Sequence, residues 1–320
     1  MIGTFHAGEL IAERYEIIGP LAEGGFAKLY RATDHQADGA EVVIKTLLRG
    51  AQDEDAAIHE RFVREAQVAQ LLRHPNTVRV HDFGRDQEGR FYLVMERLRG
   101  VTLDQVIASG PQPPARVEKI LREILGALEE AHTLGVVHRD LKPTNIFICR
   151  EAAEGSGYVK VIDFGLAKVL TYASGLSANT LTADGILVGT PGYLAPEVAQ
   201  GQEVSAQADL YVAGLIAHEL LTGQSAYSGT PLQKARAQGS RNPPEPGRDI
   251  AQTPLYGVVR KLMVRDPERR YTSAREALVD LEDLAEGGAD LVRVPQHSRW
   301  LGVGVLLLVV VLVVIIALAL

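Results

Sequence analysis

The chain has 320 residues, 46% of them hydrophobic, enough for one two-lobed domain or two ordinary ones with a substantial core. Its 33 Lys and Arg against 40 Asp and Glu leave a formal charge of −7, which argues against a nucleic-acid surface, because phosphate-backbone binding relies on clustered cations. The single cysteine, Cys149, forbids an internal disulfide and suits a reducing compartment.

Residues 1–14 read as an N-terminal extension. From Tyr15 to Leu98 the pattern is β-rich, with strands predicted at Tyr15–Ile18, Lys28–Thr33, Glu41–Leu47, Val78–Phe83 and Phe91–Arg97. One helix interrupts them. Between Asp55 and Leu72, Ile58, Phe62, Ala66 and Ala69 fall on one stripe, and Glu65 lies on the same side, where a carboxylate needs a partner. From Thr102 onward the pattern is helical: Leu103–Ala108, Arg116–Leu134, Ala208–Thr222, Pro254–Val264 and Ser273–Leu284, separated by loops bearing Gly and Pro. The fold class expected is therefore α+β and bilobal: a small β-rich lobe with one helix over residues 15–98, then a larger helical lobe over 99–284. Residues 285–299, with Gly, Pro and mixed charge, read as a linker. The segment 300–320 reads as a transmembrane helix, since Leu301 to Leu320 carries no charged side chain and twenty helical residues span about 30 Å, the thickness of a bilayer's hydrocarbon. Arg293 and Arg299 precede it, so the larger part of the chain is expected in the cytoplasm, with the end of the span outward.

The chemistry is concentrated in a few motifs. His138-Arg139-Asp140-Leu141-Lys142-Pro143-Thr144-Asn145 is followed by Asp163-Phe164-Gly165. Upstream stand Leu21-Ala22-Glu23-Gly24-Gly25-Phe26-Ala27-Lys28-Leu29-Tyr30 and Val42-Val43-Ile44-Lys45. Downstream stand Gly189-Thr190-Pro191-Gly192-Tyr193-Leu194-Ala195-Pro196-Glu197 and Asp266-Pro267-Glu268-Arg269-Arg270. Each tripeptide alone is weak, being an ordinary turn in most proteins. Their order and spacing are not, and together they resemble the eukaryotic-like Ser/Thr protein kinases, in particular bacterial membrane-anchored members.

That resemblance implies ATP and Mg²⁺ at the site and Ser or Thr hydroxyls of protein substrates as acceptors. It makes Asp140 the base toward the acceptor hydroxyl, Lys142 the neutraliser of phosphoryl charge, and Asn145 and Asp163 the metal ligands. Lys45 is expected to pair the phosphates and to answer to Glu65. Leu21, Gly24 and Gly25 belong to the loop over the phosphates. That loop departs from its pattern, because Ala22 and Ala27 replace two of three glycines and narrow the accessible backbone conformations. Leu29 and Val43 are implied as the roof of the adenine site and Phe147 as its floor, with Met95 as gatekeeper and the backbone of Glu96 and Leu98 facing the base. Thr190 is expected to touch Asp140 and Lys142. Asp209 is expected to hold the backbone of the catalytic loop, and Arg270 to pair with Glu197. Arg139 points to phosphorylation of the activation segment, with Thr182 and Thr180 as its candidates, and a homodimer would serve trans-autophosphorylation at the membrane. The rival reading is a pseudokinase, a membrane-tethered nucleotide-binding scaffold, drawn from the altered loop and the bulky adenine site.

Overall fold

The computed structural model describes residues 4–24, 27–47, 56–149, 157–164, 192–243 and 245–285. The first lobe is a six-stranded antiparallel sheet in the order β1-β2-β3-β4-β6-β5, built from Leu10–Ile11, Tyr15–Glu23, Ala27–Asp34, Ala40–Leu47, Val80–Arg85 (β5) and Phe91–Glu96 (β6). Period-two alternation assigns each side chain to a face. Val43, Leu93 and Met95 look inward with Leu29 toward helix α1 (Ala56–Leu71), whose Phe62, Ala66 and Ala69 complete that cluster; the Ile58 side chain lies outside the described set. Val42, Ile44, Tyr92, Val94 and Tyr30 look outward and form a second cluster.

Residues 4–14 finish that outer cluster. Phe5 and Ile11 are buried in it, the Phe5 N–H donates to the Tyr30 hydroxyl at 3.0 Å, and the two rings meet edge to face at 5.3 Å. Arg90 lies over the Phe5 ring at 4.2 Å, donates to the Thr4 carbonyl and pairs with Glu9, Asp86 and Glu88, so that acidic group is already neutralised by a guanidinium. Phe5→Ala is expected to cost about 3 kcal/mol, as measured by urea unfolding.

The second lobe begins with β7 (Gly100–Thr102), α2 (Leu103–Ala108) and α3 (Pro114–Thr133). Strands β8 (Ile146–Cys149) and β9 (Tyr158–Val161) join β7 in a three-stranded antiparallel sheet. Then follow α4 (Pro196–Ala199), α5 (Ala206–Thr222), α6 (Pro231–Ser240), α7 (Arg248–Ala251), α8 (Pro254–Leu262) and α9 (Ala274–Ala285). Helix α5 is buried from Ala208 to Leu221, with α3 and α8 packed on it, while α9 packs on α3 and α8. Gly214 makes the α5–α8 approach feasible, since a methyl group there would stand 2.6 Å from Leu262 Cβ.

The bilobal α+β expectation is met. Among the described residues no helix is long and apolar enough to cross a membrane. The transmembrane segment 300–320 and linker residues 286–299 lie outside the described residues.

Candidate active site

The loop from His138 to Asn145 hangs from one buried carboxylate. Asp209 Oδ2 accepts the His138 N–H at 2.8 Å and His132 Nε2–H at 2.9 Å, and Oδ1 accepts the Arg139 N–H at 3.2 Å, the role expected of Asp209. That grip holds Arg139 at φ 68°, a left-handed conformation that costs a non-glycine residue on the order of 1–3 kcal/mol. His138 is itself a clasp. Its Nε2 lies 2.9 Å from the Ile162 carbonyl, which can only accept, so the proton sits on Nε2 and the Nδ1 lone pair faces the Asp140 N–H at 3.4 Å. Its ring packs on Phe164 at 4.6 Å, tying the loop to the Asp163-Phe164 segment.

Three predicted residues then meet. Lys142 Nζ lies 2.6 Å from Asp140 Oδ2, while Asn145 Nδ2 donates to the Asp140 carbonyl at 2.9 Å and to Oδ2 at 3.2 Å. With its amide donors turned to Asp140, Asn145 presents its oxygen the other way. The Ile162 N–H donates to the Asn145 carbonyl at 2.9 Å, so Asn145 and Asp163 stand on adjoining segments.

Lys45 is buried on β4 and pairs with Asp163 Oδ1 at 2.8 Å. Asp163, also left-handed at φ 65°, feels two opposed effects. Burial pushes its carboxyl up, and the Lys45 charge and hydrogen bond more than offset this, holding it below the usual carboxylate range. Glu65 is half-buried on α1, beside Ala66 of the inner cluster. Asn145 and Asp163 together offer hard oxygens of the kind Mg²⁺ takes, one amide and one carboxylate.

Leu29, Val43, Met95 and Leu98 share the inner cluster, and Ile162 joins them. Sequence reasoning missed Ile162, although an apolar residue directly before Asp163 was a usable signal. Phe147 sits half-buried on β8, opposite Lys160, and is not part of that packed set. Leu29 and Val43 belong to the first lobe's sheet and Phe147 to the second lobe's. Leu21 is exposed on β2, and the hairpin closes with the Gly24 N–H on the Ala27 carbonyl at 2.9 Å. Ala22 and Ala27 both lie on strands, where extended backbone accepts a methyl group. Behind Met95 a cavity of about 10 Å³, bounded by Thr77, Leu93, Asp163 and Phe164, has room for about one water. The Thr77 hydroxyl there is buried and has no hydrogen-bond partner among the described residues.

On the far side, Gly192–Glu197 is fixed from beneath. Gln238, fully buried, donates from Nε2 to the Gly192 carbonyl at 2.5 Å and accepts the Leu194 N–H at 3.3 Å. Tyr193 donates to Glu219 at 2.7 Å, and burial first, then that carboxylate, raises its phenol far above the usual range. Arg270 forks onto Glu197 at 2.9 and 3.1 Å, as expected. Gln238 and Glu219 escaped sequence reading because lone polar residues in helices give no periodic signal. Gly25, Thr190, Thr180 and Thr182 lie outside the described residues.

The fold and this constellation are of the protein-kinase type. Residues 15–280 match the protein kinase domain family, and the chain belongs to it. It is 40% identical over 86% of its length to a probable serine/threonine-protein kinase of Streptomyces coelicolor, and 33% identical over 92% to the serine/threonine-protein kinase pkn3 of Myxococcus xanthus. It is 34% identical over 87% to the serine/threonine-protein kinase PknB of Mycobacterium tuberculosis. The chain spans 40%, 54% and 44% of those three proteins. Among solved structures it resembles the PknI kinase domain of M. tuberculosis, with a TM-score of 0.65 and 25% identity, covering 88% of this chain and 99% of that one.

Proposed function

We propose that the chain is a Ser/Thr protein kinase that moves the γ-phosphoryl group of ATP to Ser or Thr hydroxyls of proteins, its own activation segment included. One observation carries this reading: Asp140, Lys142 and Asn145 converge within 3.2 Å while Lys45 of the first lobe reaches Asp163 of the second at 2.8 Å. The acceptor hydroxyl gives its proton to Asp140 as its oxygen bonds to the γ-phosphorus, the bond from that phosphorus to the bridging oxygen breaks, and ADP departs with that oxygen. Lys142, already at 2.6 Å, holds the Asp140 carboxylate in place and carries charge toward the transferred group. Lys45 serves the α- and β-phosphates, with Glu65 steadying it, and the loop of Leu21, Gly24 and Gly25 covers them. Leu29, Val43, Met95, Phe147 and the backbone of Glu96 and Leu98 receive the adenine; Thr190 joins Asp140 and Lys142. Asn145 and Asp163 would hold magnesium, which when bound offsets the phosphate charge.

The named kinase relatives and the intact set of side chains support this reading over a scaffold. The test is incubation of the purified chain with ATP and Mg²⁺, followed by mass spectrometry. Phosphate on Ser or Thr, foremost Thr182 or Thr180, is expected, and its absence would count against the proposal.

We further propose that residues 300–320 tether the kinase to a membrane with the catalytic domain in the cytoplasm, where ATP and a reducing milieu are found. Tethering raises the concentration of copies for one another and favours trans-autophosphorylation in a homodimer. The full chain is expected in the membrane fraction and a version ending at Arg299 in the soluble one. Recovery of both in the soluble fraction would refute the tether.

A further inference from the structure

Lys160, which no motif singles out, lies on β9, the strand leading to Asp163, and its side chain reaches the segment joining the lobes. It is 9% exposed, and its ammonium donates to Glu96 Oε1 at 2.7 Å and to the Thr77 carbonyl at 3.1 Å. Glu96 Oε1 also accepts the Arg79 N–H at 2.7 Å, and the Glu96 N–H donates to the Arg79 carbonyl at 2.9 Å. The stretch from Asn76 to Arg79 is in turn stitched to β9. Val161 N–H donates to the Asn76 carbonyl, Val78 N–H to the Val161 carbonyl, and Asn76 Nδ2 to the Val159 carbonyl, all within 2.9 Å. Residues 76–79, 96 and 159–161 therefore form one knot, in which the Lys160 ammonium meets the Glu96 carboxylate. Asp163 follows three residues later.

We propose that Lys160 is a positioning residue for nucleotide, setting the backbone of Glu96 to Leu98 at a fixed distance from Asp163. The inference rests on the reading of Glu96 and Leu98 as the adenine-binding segment. Its physical basis is the pairing of two partly dehydrated charges. Without the ammonium, the half-buried Glu96 carboxylate turns to water and releases its hold on Arg79, and the joining segment loses its anchor to β9. The catalytic loop keeps its own anchor, because Asp209 on α5 holds the His138 and Arg139 N–H groups. Lys160 should thus govern nucleotide affinity and leave the chemical step nearly alone.

The test uses the full chain in detergent, with equilibrium binding of a fluorescent ATP analogue, ATP-dependence of peptide phosphorylation, and thermal melting as a fold check. Lys160→Met is expected to weaken analogue binding and raise KM for ATP about tenfold, with kcat changed less than about threefold. Glu96→Gln should weaken binding to a similar degree, and the double variant should be no worse than the weaker single, since both remove one interaction. Normal binding in a folded Lys160→Met, a fall in kcat at constant KM, or single effects that multiply in the double variant would each overturn the proposal. If Lys160→Met does not fold, Glu96→Gln decides by binding alone, and unchanged affinity overturns it. Binding without phosphoryl transfer in the unaltered chain would defeat the kinase reading while leaving this test in force; no binding at all would defeat both.

Discussion

Asp163→Asn is expected to lower phosphoryl transfer by about 10²–10⁴-fold, the loss typical of removing one preorganised charged group at a reacting centre. The substitution keeps the volume and the hydrogen-bonding shape. What disappears is the negative charge that Lys45 stabilises at 2.8 Å and that would receive the metal. Asp140→Asn should lose as much for a different reason, because an amide cannot take the acceptor's proton. Lys45→Met should do likewise, since it also leaves Asp163 without its counter-charge. Incorporation of labelled phosphate by each variant against the unaltered chain measures the effect. A chain no faster than its Asp163→Asn variant would be a scaffold and not an enzyme.

The largest effect on folding is expected at Arg270. Its side chain is fully buried, forks onto Glu197, donates to the carbonyls of Val264, Arg265 and Gln207, and lies over the Tyr211 ring at 5.1 Å. Arg270→Met leaves Glu197 charged, buried and unpaired, at a cost of about 3–5 kcal/mol. For a domain of this size that corresponds to a fall in melting temperature of roughly 10 °C, readable by calorimetry. Adding Glu197→Gln should recover part of the loss, because the uncompensated charge goes. A melting temperature unchanged in Arg270→Met would show that the pair contributes nothing to stability.

Much of the fold was legible because it is written in local periodicity. The alternation in β4 and β6 and the stripe on α1 survive in the structure to within a few residues, and α2 begins and ends at the residues expected. Short elements were lost. Strands β1, β7, β8 and β9 have two to four residues each, too few for a period to register. Helix α6 carries Gly239 and Ser240 in its last turn, yet its start was readable: Thr230 and Gln233 make a reciprocal cap ahead of Pro231.

At the site, the sequence alone determined which residue types are present and in what order, and their family resemblance named Asp140, Lys142, Asn145, Lys45 and Asp163. Tertiary structure decided how they are held. Asp209 reaches back over 71 residues to the His138 N–H, Gln238 over 46 to Gly192, and Lys160 over 64 to Glu96. Only packing brings such pairs together, because a buried polar group has no periodic signature and its partner is chosen by which segments the core leaves adjacent. The same holds for Phe5. In sequence it lies in an extension with no pattern, and in the folded chain it closes the outer face of the sheet, where covering Tyr30 removes apolar surface from water.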